Sequence, residues 1–242
     1  MKRSLFALAT LVLFTACNKN DHENANLHIT GNIKGLRQGK LYIQQFKDTS
    51  LVALDTIIID GSSAFESHLD LESPEMLYLF LDRGQTNSVD NNLPFFAEPG
   101  NMRIETSNET FFYNAKITGS ENHKLYEDFI KMKNNFTGTN TELKAKSLEA
   151  TMSGDVKRLD SIAEASDLLL KRRYLYTANF ALNNAKKEVG PYLALSEIPD
   201  ANVKYLDTIA KAMTPEVAKS KYGKMLRDYI AERKQAEAAE VK

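Results

Sequence analysis

The four histidines and the single cysteine of this 242-residue chain carry the side chains best suited to metal binding or nucleophilic attack. The histidines are His22, His28, His68 and His123, and none follows another at the spacing that lets one helix or hairpin hold a metal. Cys17 is the only cysteine, so coordination of zinc or an iron-sulfur cluster by several thiolates is excluded. We expect no metal and no other cofactor, and we interpret the histidines as ordinary surface or strand-edge residues.

A pair of carboxylates is the remaining catalytic candidate, because two acids about 5 to 10 Å apart can hydrolyse a glycosidic bond. Asp55, Asp60, Asp82 and Glu98 are the best placed, since each lies at the end of a predicted strand. Acids at such positions more commonly form turns. The chain also lacks a nucleophile elbow and a phosphate-binding glycine loop. We therefore predict no catalytic residue and keep a carboxylate-based hydrolase as an alternative.

Half-buried β-strands are predicted between Leu27 and about Gly119, where apolar residues recur with a period of two between turn residues. The Asp60-Gly61 pair separates two apolar runs, 52–59 and 65–69, and this pattern favours a hairpin. Further runs predict strands near 76–81, 95–97, 102–105 and 115–118. The expected structure is a meander of seven or eight strands that forms an antiparallel sandwich or barrel.

Helices are predicted after Gly119, because the apolar period changes to three and four residues. Asp155 is a suitable N-cap for a long helix that Gly190-Pro191 would end. Another helix is predicted over 203–213, and Thr214-Pro215 supplies a cap with proline at the first position of the last helix. The predicted fold is α+β, with a β domain over 27–119 and an all-helical region over 120–242.

The amino terminus has the pattern of a secretory signal peptide, predicted over residues 1–16. Lys2 and Arg3 precede an apolar run from Leu5 to Phe14, which is shorter than the roughly 20 residues that span a bilayer. The following Thr15-Ala16-Cys17 resembles the bacterial lipobox, although Phe14 stands where that motif usually has leucine. This resemblance implies cleavage before Cys17 and lipid attachment to its thiol, and so a location in the cell envelope, most consistent with the outer membrane.

Residues 17–26 are almost entirely polar, and we predict a flexible tether there. The chain has 31 basic and 32 acidic residues, so its formal net charge of −1 gives no electrostatic reason to expect a nucleic-acid partner. The expected partners are the membrane, through Cys17, and an envelope protein or a small ligand.

Residues 27–122 carry an ordered series of short motifs. They are Ile29-x-Gly31-x-Ile33, the Asp60-Gly61 segment followed by Phe65, Phe95-Phe96-Ala97-Glu98-Pro99-Gly100, and Ile117-x-Gly119-Ser120 with Asn122. This series resembles the domain of unknown function 4369, an amino-terminal domain of many Bacteroidetes lipoproteins related to thiol-disulfide oxidoreductases. The resemblance implies that the β domain of such relatives is followed, further along the chain, by a thioredoxin-like domain with a Cys-x-x-Cys pair. The sequence ends where that domain would begin, and Cys17 is its only thiol.

We therefore expect a non-catalytic lipoprotein of the cell envelope that acts as a binding or interaction module. The alternative that the resemblance suggests is a detached accessory subunit of a thioredoxin-like oxidoreductase system.

Overall fold

The computed structural model describes residues 25–47, 49–84 and 88–240, and in these residues eight strands precede six helices. The predicted α+β class is confirmed. The signal peptide, Cys17 and most of the predicted tether lie outside the described residues. The strands are β1 (Leu27–Lys34), β2 (Gln38–Lys47), β3 (Ser50–Asp60), β4 (Ala64–Leu69), β5 (Glu75–Asp82), β6 (Asn92–Ala97), β7 (Gly100–Ser107) and β8 (Lys116–Thr118). The helices are α1 (Glu121–Ser153), α2 (Val156–Asn183), α3 (Val189–Glu197), α4 (Val203–Ala212), α5 (Pro215–Lys219) and α6 (Lys221–Glu240).

The strands form two open four-stranded sheets, so the sandwich and not the barrel is the observed arrangement. The first sheet has the order β4-β1-β7-β8 and the second the order β3-β2-β5-β6. The predicted antiparallel meander is wrong for the first sheet, because β1 lies between β4 and β7 and pairs with β7 in parallel. Local sequence signals favoured neighbours in the chain, whereas this parallel pairing joins strands about seventy residues apart.

The predicted hairpin across Asp60-Gly61 also needs correction. Gly61 does turn the chain, with φ +83°, but the strands on its two sides belong to different sheets. The N–H of Gly61 donates to Arg37 O (2.8 Å), and the N–H of Ile33 donates to Ser63 O (2.9 Å). The chain after the turn is therefore bound by β1, and β4 runs antiparallel to it. The hairpin in this part of the chain is instead β2–β3.

A first apolar core fills the space between the two sheets. Alternate residues of β5 point into it, and Leu77, Leu79 and Leu81 are completely buried there. Phe95 of β6 and Ile104 of β7 are equally buried. Removing a side chain such as Phe95 from water contributes roughly 1.5–3 kcal/mol, so this core holds the sandwich together.

A second apolar core joins the outer face of the second sheet to the helices. Met76 of β5 and Phe96 of β6 pack there against Leu193 of α3, Leu206 of α4 and Leu226 of α6. Because β5 and β6 supply side chains to both cores, the second sheet is the middle layer between the first sheet and the helices.

The helical region begins with a hairpin formed by α1 and α2. Gly154 ends α1 in the left-handed conformation, and Asp155 caps α2 by accepting from the N–H of Arg158 (3.0 Å), as predicted. Gly190-Pro191 does not end α2, which stops at Asn183; both residues lie in the first turn of α3. Proline fits there because the first-turn N–H needs no partner within the helix. Among the described helices, none has the length and apolar composition needed to cross a bilayer.

Candidate functional site

Glu98, one of the four predicted acids, connects the β6–β7 turn to the start of α1. Its Oε2 accepts hydrogen bonds from Ser120 Oγ (2.9 Å) and from the N–H of Asn122 (3.1 Å). The fully buried Asn122 also donates to Glu188 (3.0 Å) and accepts from the N–H of Val189 (2.9 Å). A carboxylate stabilises a helix amino terminus, so Glu98 supports the junction between the sheets and the helices.

The other three acids lie at separate positions. Asp55 turns towards the first sheet and accepts from Ser67 Oγ (2.5 Å), while Asp82 accepts from the N–H of Gly84 (2.8 Å) in the turn after β5. Asp60 is exposed at the end of β3. Asp55, Asp82 and Glu98 have local structural roles, which lends no support to the hydrolase alternative.

Two motif glycines are required by close backbone packing. A Cβ on Gly31 would lie 2.3 Å from the ring of Phe65, and a Cβ on Gly119 would lie 2.1 Å from the carbonyl oxygen of Asn101. Gly119 also has φ +95°, a conformation that side chains disfavour. These motif positions therefore preserve the contact between neighbouring strands.

Three tyrosines, of which Tyr222 is buried and Tyr126 and Tyr192 are half-buried, occupy the contact between the second sheet and the helices. The ring of Tyr192 lies 4.9 Å from that of Tyr222 and 6.2 Å from that of Tyr126. Burial raises the pKa of Tyr126 to about 12 and also raises the pKa values of Tyr192 and Tyr222. Their hydroxyl groups stay neutral at physiological pH and cannot act as bases. The hydroxyl of Tyr222 accepts from the N–H of Met76 (2.9 Å), which is a structural role.

His123 lies beside this junction and is 4% exposed. Its Nδ1 accepts a hydrogen bond from the N–H of Phe96 (3.2 Å), which leaves the ring proton on Nε2. Glu127 lies 3.5 Å from Nε2. Burial lowers the pKa of His123 to about 4, so the ring is neutral at physiological pH.

His28 and His68 face each other on neighbouring strands of the first sheet, with their Nε2 atoms 3.0 Å apart. Glu66 lies two residues before His68 on the same face of β4. One ligand atom from each of the three residues lies within 4.8 Å of the other two. In the part of the chain that the structure describes, this is the one group of three or more such side chains with metal-binding geometry.

The sequence did not indicate this group, because His28 and His68 are forty residues apart in the chain. Only the pairing of β1 with β4 brings them together, and the incorrect hairpin prediction had assigned β4 to β3. His22 lies outside the described residues.

Exposed apolar side chains line one edge of the second sheet. We call them the β3 edge surface: Phe46, Leu51, Val52, Leu54 and Ile58, which are between 38% and 73% exposed. Within the described residues, β3 pairs with β2 alone, so its outer backbone edge has no partner strand. Soluble proteins usually protect such edges with charges, prolines or bulges. Residues 50–54 of β3 carry no charge and no proline, and the strand has a one-residue bulge at Leu54.

A family model described as "Domain of unknown function (DUF4369)" matches residues 27–126. No curated protein and no solved structure matches the chain. The matched region covers the sandwich and the first residues of α1, and it includes Gly31, Glu98, Gly119 and Asn122.

Proposed function

Because residues 27–126 belong to the DUF4369 family, which comes without an assigned activity, we propose a function from the exposed surfaces of this chain. The protein is a non-catalytic, lipid-anchored envelope module that binds an extended segment of another protein along the β3 edge surface. The observation that carries this proposal is an eleven-residue edge strand that combines an uncovered backbone edge with exposed apolar side chains.

An extended segment suits this surface because it satisfies both features at once. Its backbone would add a strand beside β3, while alternate apolar side chains would cover those of the edge surface. A folded partner with a convex surface would leave the β3 backbone groups uncovered. The β2–β3 hairpin supports the edge, since β2 is held on its other side by β5. The binding strand is thereby fixed before the partner arrives, which lowers the entropy lost on binding.

The membrane attachment in this proposal rests on the pattern before Cys17, with its basic start, apolar run and small residues. A lipid on Cys17 would hold the module at the membrane. The non-catalytic part rests on the predicted acids, of which Glu98, Asp55 and Asp82 stabilise local structure.

Site-specific photocrosslinking in intact cells tests the binding surface. A photoreactive residue at Val52 or Leu54 should yield one discrete adduct, and peptide mapping should locate the partner end in a single extended segment. The matched control is the same residue at Met152, which is 82% exposed and apolar but lies on a helix. The adduct should be absent from that position.

A charged substitution on the β3 edge surface distinguishes specific from incidental crosslinking. With the photoreactive residue at Val52, a second change of Leu54→Lys should abolish the adduct, because a charge on this edge opposes strand addition. An adduct that survives Leu54→Lys contradicts the proposal. An adduct with a second copy of this chain also contradicts it, because the proposed partner is a different protein.

The anchor has its own test. Mass spectrometry of the mature amino terminus should detect an acylated Cys17, and Cys17→Ser should release the protein from the membrane fraction. Cleavage at another bond without acylation would refute the lipoprotein part while leaving the binding surface to be judged separately.

A further inference from the structure

We propose that His28, His68 and Glu66 form a zinc-binding site on the outer face of the first sheet. This inference is independent of the proposed binding function, since the β3 edge surface belongs to the second sheet. The three side chains supply two imidazole nitrogens and one carboxylate, a donor set that suits zinc.

The two histidines already have nearly the separation that a zinc ion requires. Zinc–nitrogen bonds of about 2.0–2.1 Å in tetrahedral geometry place two ligand nitrogens about 3.3 Å apart. The Nε2 atoms of His28 and His68 are 3.0 Å apart. The ring centroids lie 3.7 Å apart with the planes tilted by 38°, so the two half-buried rings would rotate about their side-chain torsions to direct both Nε2 lone pairs at one ion. The metal would replace the contact between the two Nε2 atoms with two coordinate bonds.

Glu66 completes the group from the same face of the sheet. Glu66 lies opposite Thr30, two residues along the strands from the histidine pair. One of its carboxylate oxygens lies within 4.8 Å of a ligand nitrogen of each histidine. Its negative charge offsets part of the charge of the metal. Protein zinc sites with two histidines and one carboxylate keep the fourth position for water or another donor. Glu66 is exposed, so that position would be open to solvent.

The backbone holds these ligands in position. β1 is paired along one side with β4 and along the other with β7, so the strand that carries His28 is fixed on both sides. Arg103 of β7, opposite Thr30 on this face, pairs with Glu105 (2.5 Å). Folding therefore fixes the backbone positions of the ligands, and the side chains reorient when the ion binds.

Zinc titration of the full-length chain in detergent tests the site, with Cys17→Ser as the background so that the thiol supplies no ligand. Competition against a chromogenic zinc chelator should show one bound ion per chain. His28→Ala, His68→Ala and Glu66→Gln should each weaken binding by at least about tenfold, since even outer-shell partners contribute 10–100-fold. All three residues are at the sheet surface, and circular dichroism will verify that the variants fold.

A matched control separates this site from incidental zinc binding. Glu105→Gln removes a carboxylate from the same face on a neighbouring strand. This variant should bind zinc as tightly as the background. Absence of a stoichiometric site, or a zinc affinity in His28→Ala or His68→Ala equal to that of the background protein, would overturn the proposal.

Cobalt substitution adds a geometric readout. Co²⁺ bound by these three residues and one solvent molecule should show the intense visible absorption of a tetrahedral complex, and His68→Ala should abolish it. Bound cobalt without that absorption in the background protein would overturn the proposed coordination.

Discussion

Acidification should destabilise the protein through His123. The N–H of Phe96 points at Nδ1 of this ring over 3.2 Å, so a proton on Nδ1 would place two N–H groups against each other. The side chain is 5% exposed, and water cannot compensate for that conflict. Glu127 at 3.5 Å would favour the charged ring, but its carboxylate is 41% exposed and is screened by solvent. Burial and the Phe96 contact therefore dominate, and the pKa is lowered to about 4.

The direction of the change in stability with pH follows from proton binding. A histidine in the unfolded chain, with its ordinary pKa of 6.5, takes up a proton that the folded His123 refuses until about pH 4. The stability present above the unfolded pKa is consequently lost as the pH falls from that value to the folded one. The linkage relation gives a loss of about 2 kcal/mol between about pH 7.5 and about pH 5, rising to about 3 kcal/mol below pH 4.

Urea denaturation followed by circular dichroism measures this effect, with His123→Asn as the matched variant. Asparagine places Oδ1 near the position of Nδ1, so it can still accept from Phe96 but cannot titrate. The variant should be less stable overall because it fills less space. Between about pH 7.5 and about pH 5, its free energy of unfolding should nevertheless fall by about 2 kcal/mol less than that of the wild type. Other titrating groups cancel in this difference.

Equal acid sensitivity of the wild type and His123→Asn would contradict this prediction. If both proteins lose the same stability on acidification, His123 is not held in its neutral form. An NMR titration of the His123 imidazole with a midpoint near the ordinary histidine pKa would lead to the same conclusion. In either case the inferred tautomer and the contact with Phe96 would be wrong.

Three further substitutions test other parts of the structure by denaturation. Gly119→Ala should cost about 1–3 kcal/mol more than Gly154→Ala, because both glycines have positive φ but only the Cβ at Gly119 would meet a backbone carbonyl. Tyr222→Phe should cost about 1–3 kcal/mol by leaving a buried N–H of β5 without its acceptor, whereas Tyr205→Phe, at a 55% exposed residue, should cost almost nothing. Leu54→Lys should change stability by less than about 0.5 kcal/mol, since its side chain already contacts solvent.

The sequence predicted the elements of the fold better than their partners. The two-residue period located the strands, and Asp155 was correctly identified as a helix cap, because both signals are local. The Asp60-Gly61 turn was also correctly located, yet it joins two sheets. Strand pairing is decided by contacts between distant segments, and here β1 binds β4 through the backbone around Ile33. No local residue preference encodes that choice.

The histidine group was missed for the same reason. His28 and His68 each lie singly in the sequence, and only the register of β1 against β4 makes them neighbours. The interpretation of His123 as a surface or strand-edge residue was wrong, because it is buried in the first turn of α1, where its Nδ1 accepts from the N–H of Phe96. Side-chain chemistry that depends on tertiary pairing remains hidden until the pairing is known.

The family motifs can be separated from the surfaces to which we assign binding. Gly31 and Gly119 permit close strand packing, while Glu98 and Asn122 join the sandwich to the helices. Each of these residues is explained by folding alone, so the shared pattern reports the architecture and leaves the activity open. No member of the β3 edge surface belongs to either buried core, although the ring of Phe46 packs edge-on against that of Tyr78 with 5.3 Å between the centroids. Changes at the motif residues should therefore lower stability first, whereas changes at the β3 edge surface should alter binding while stability is preserved.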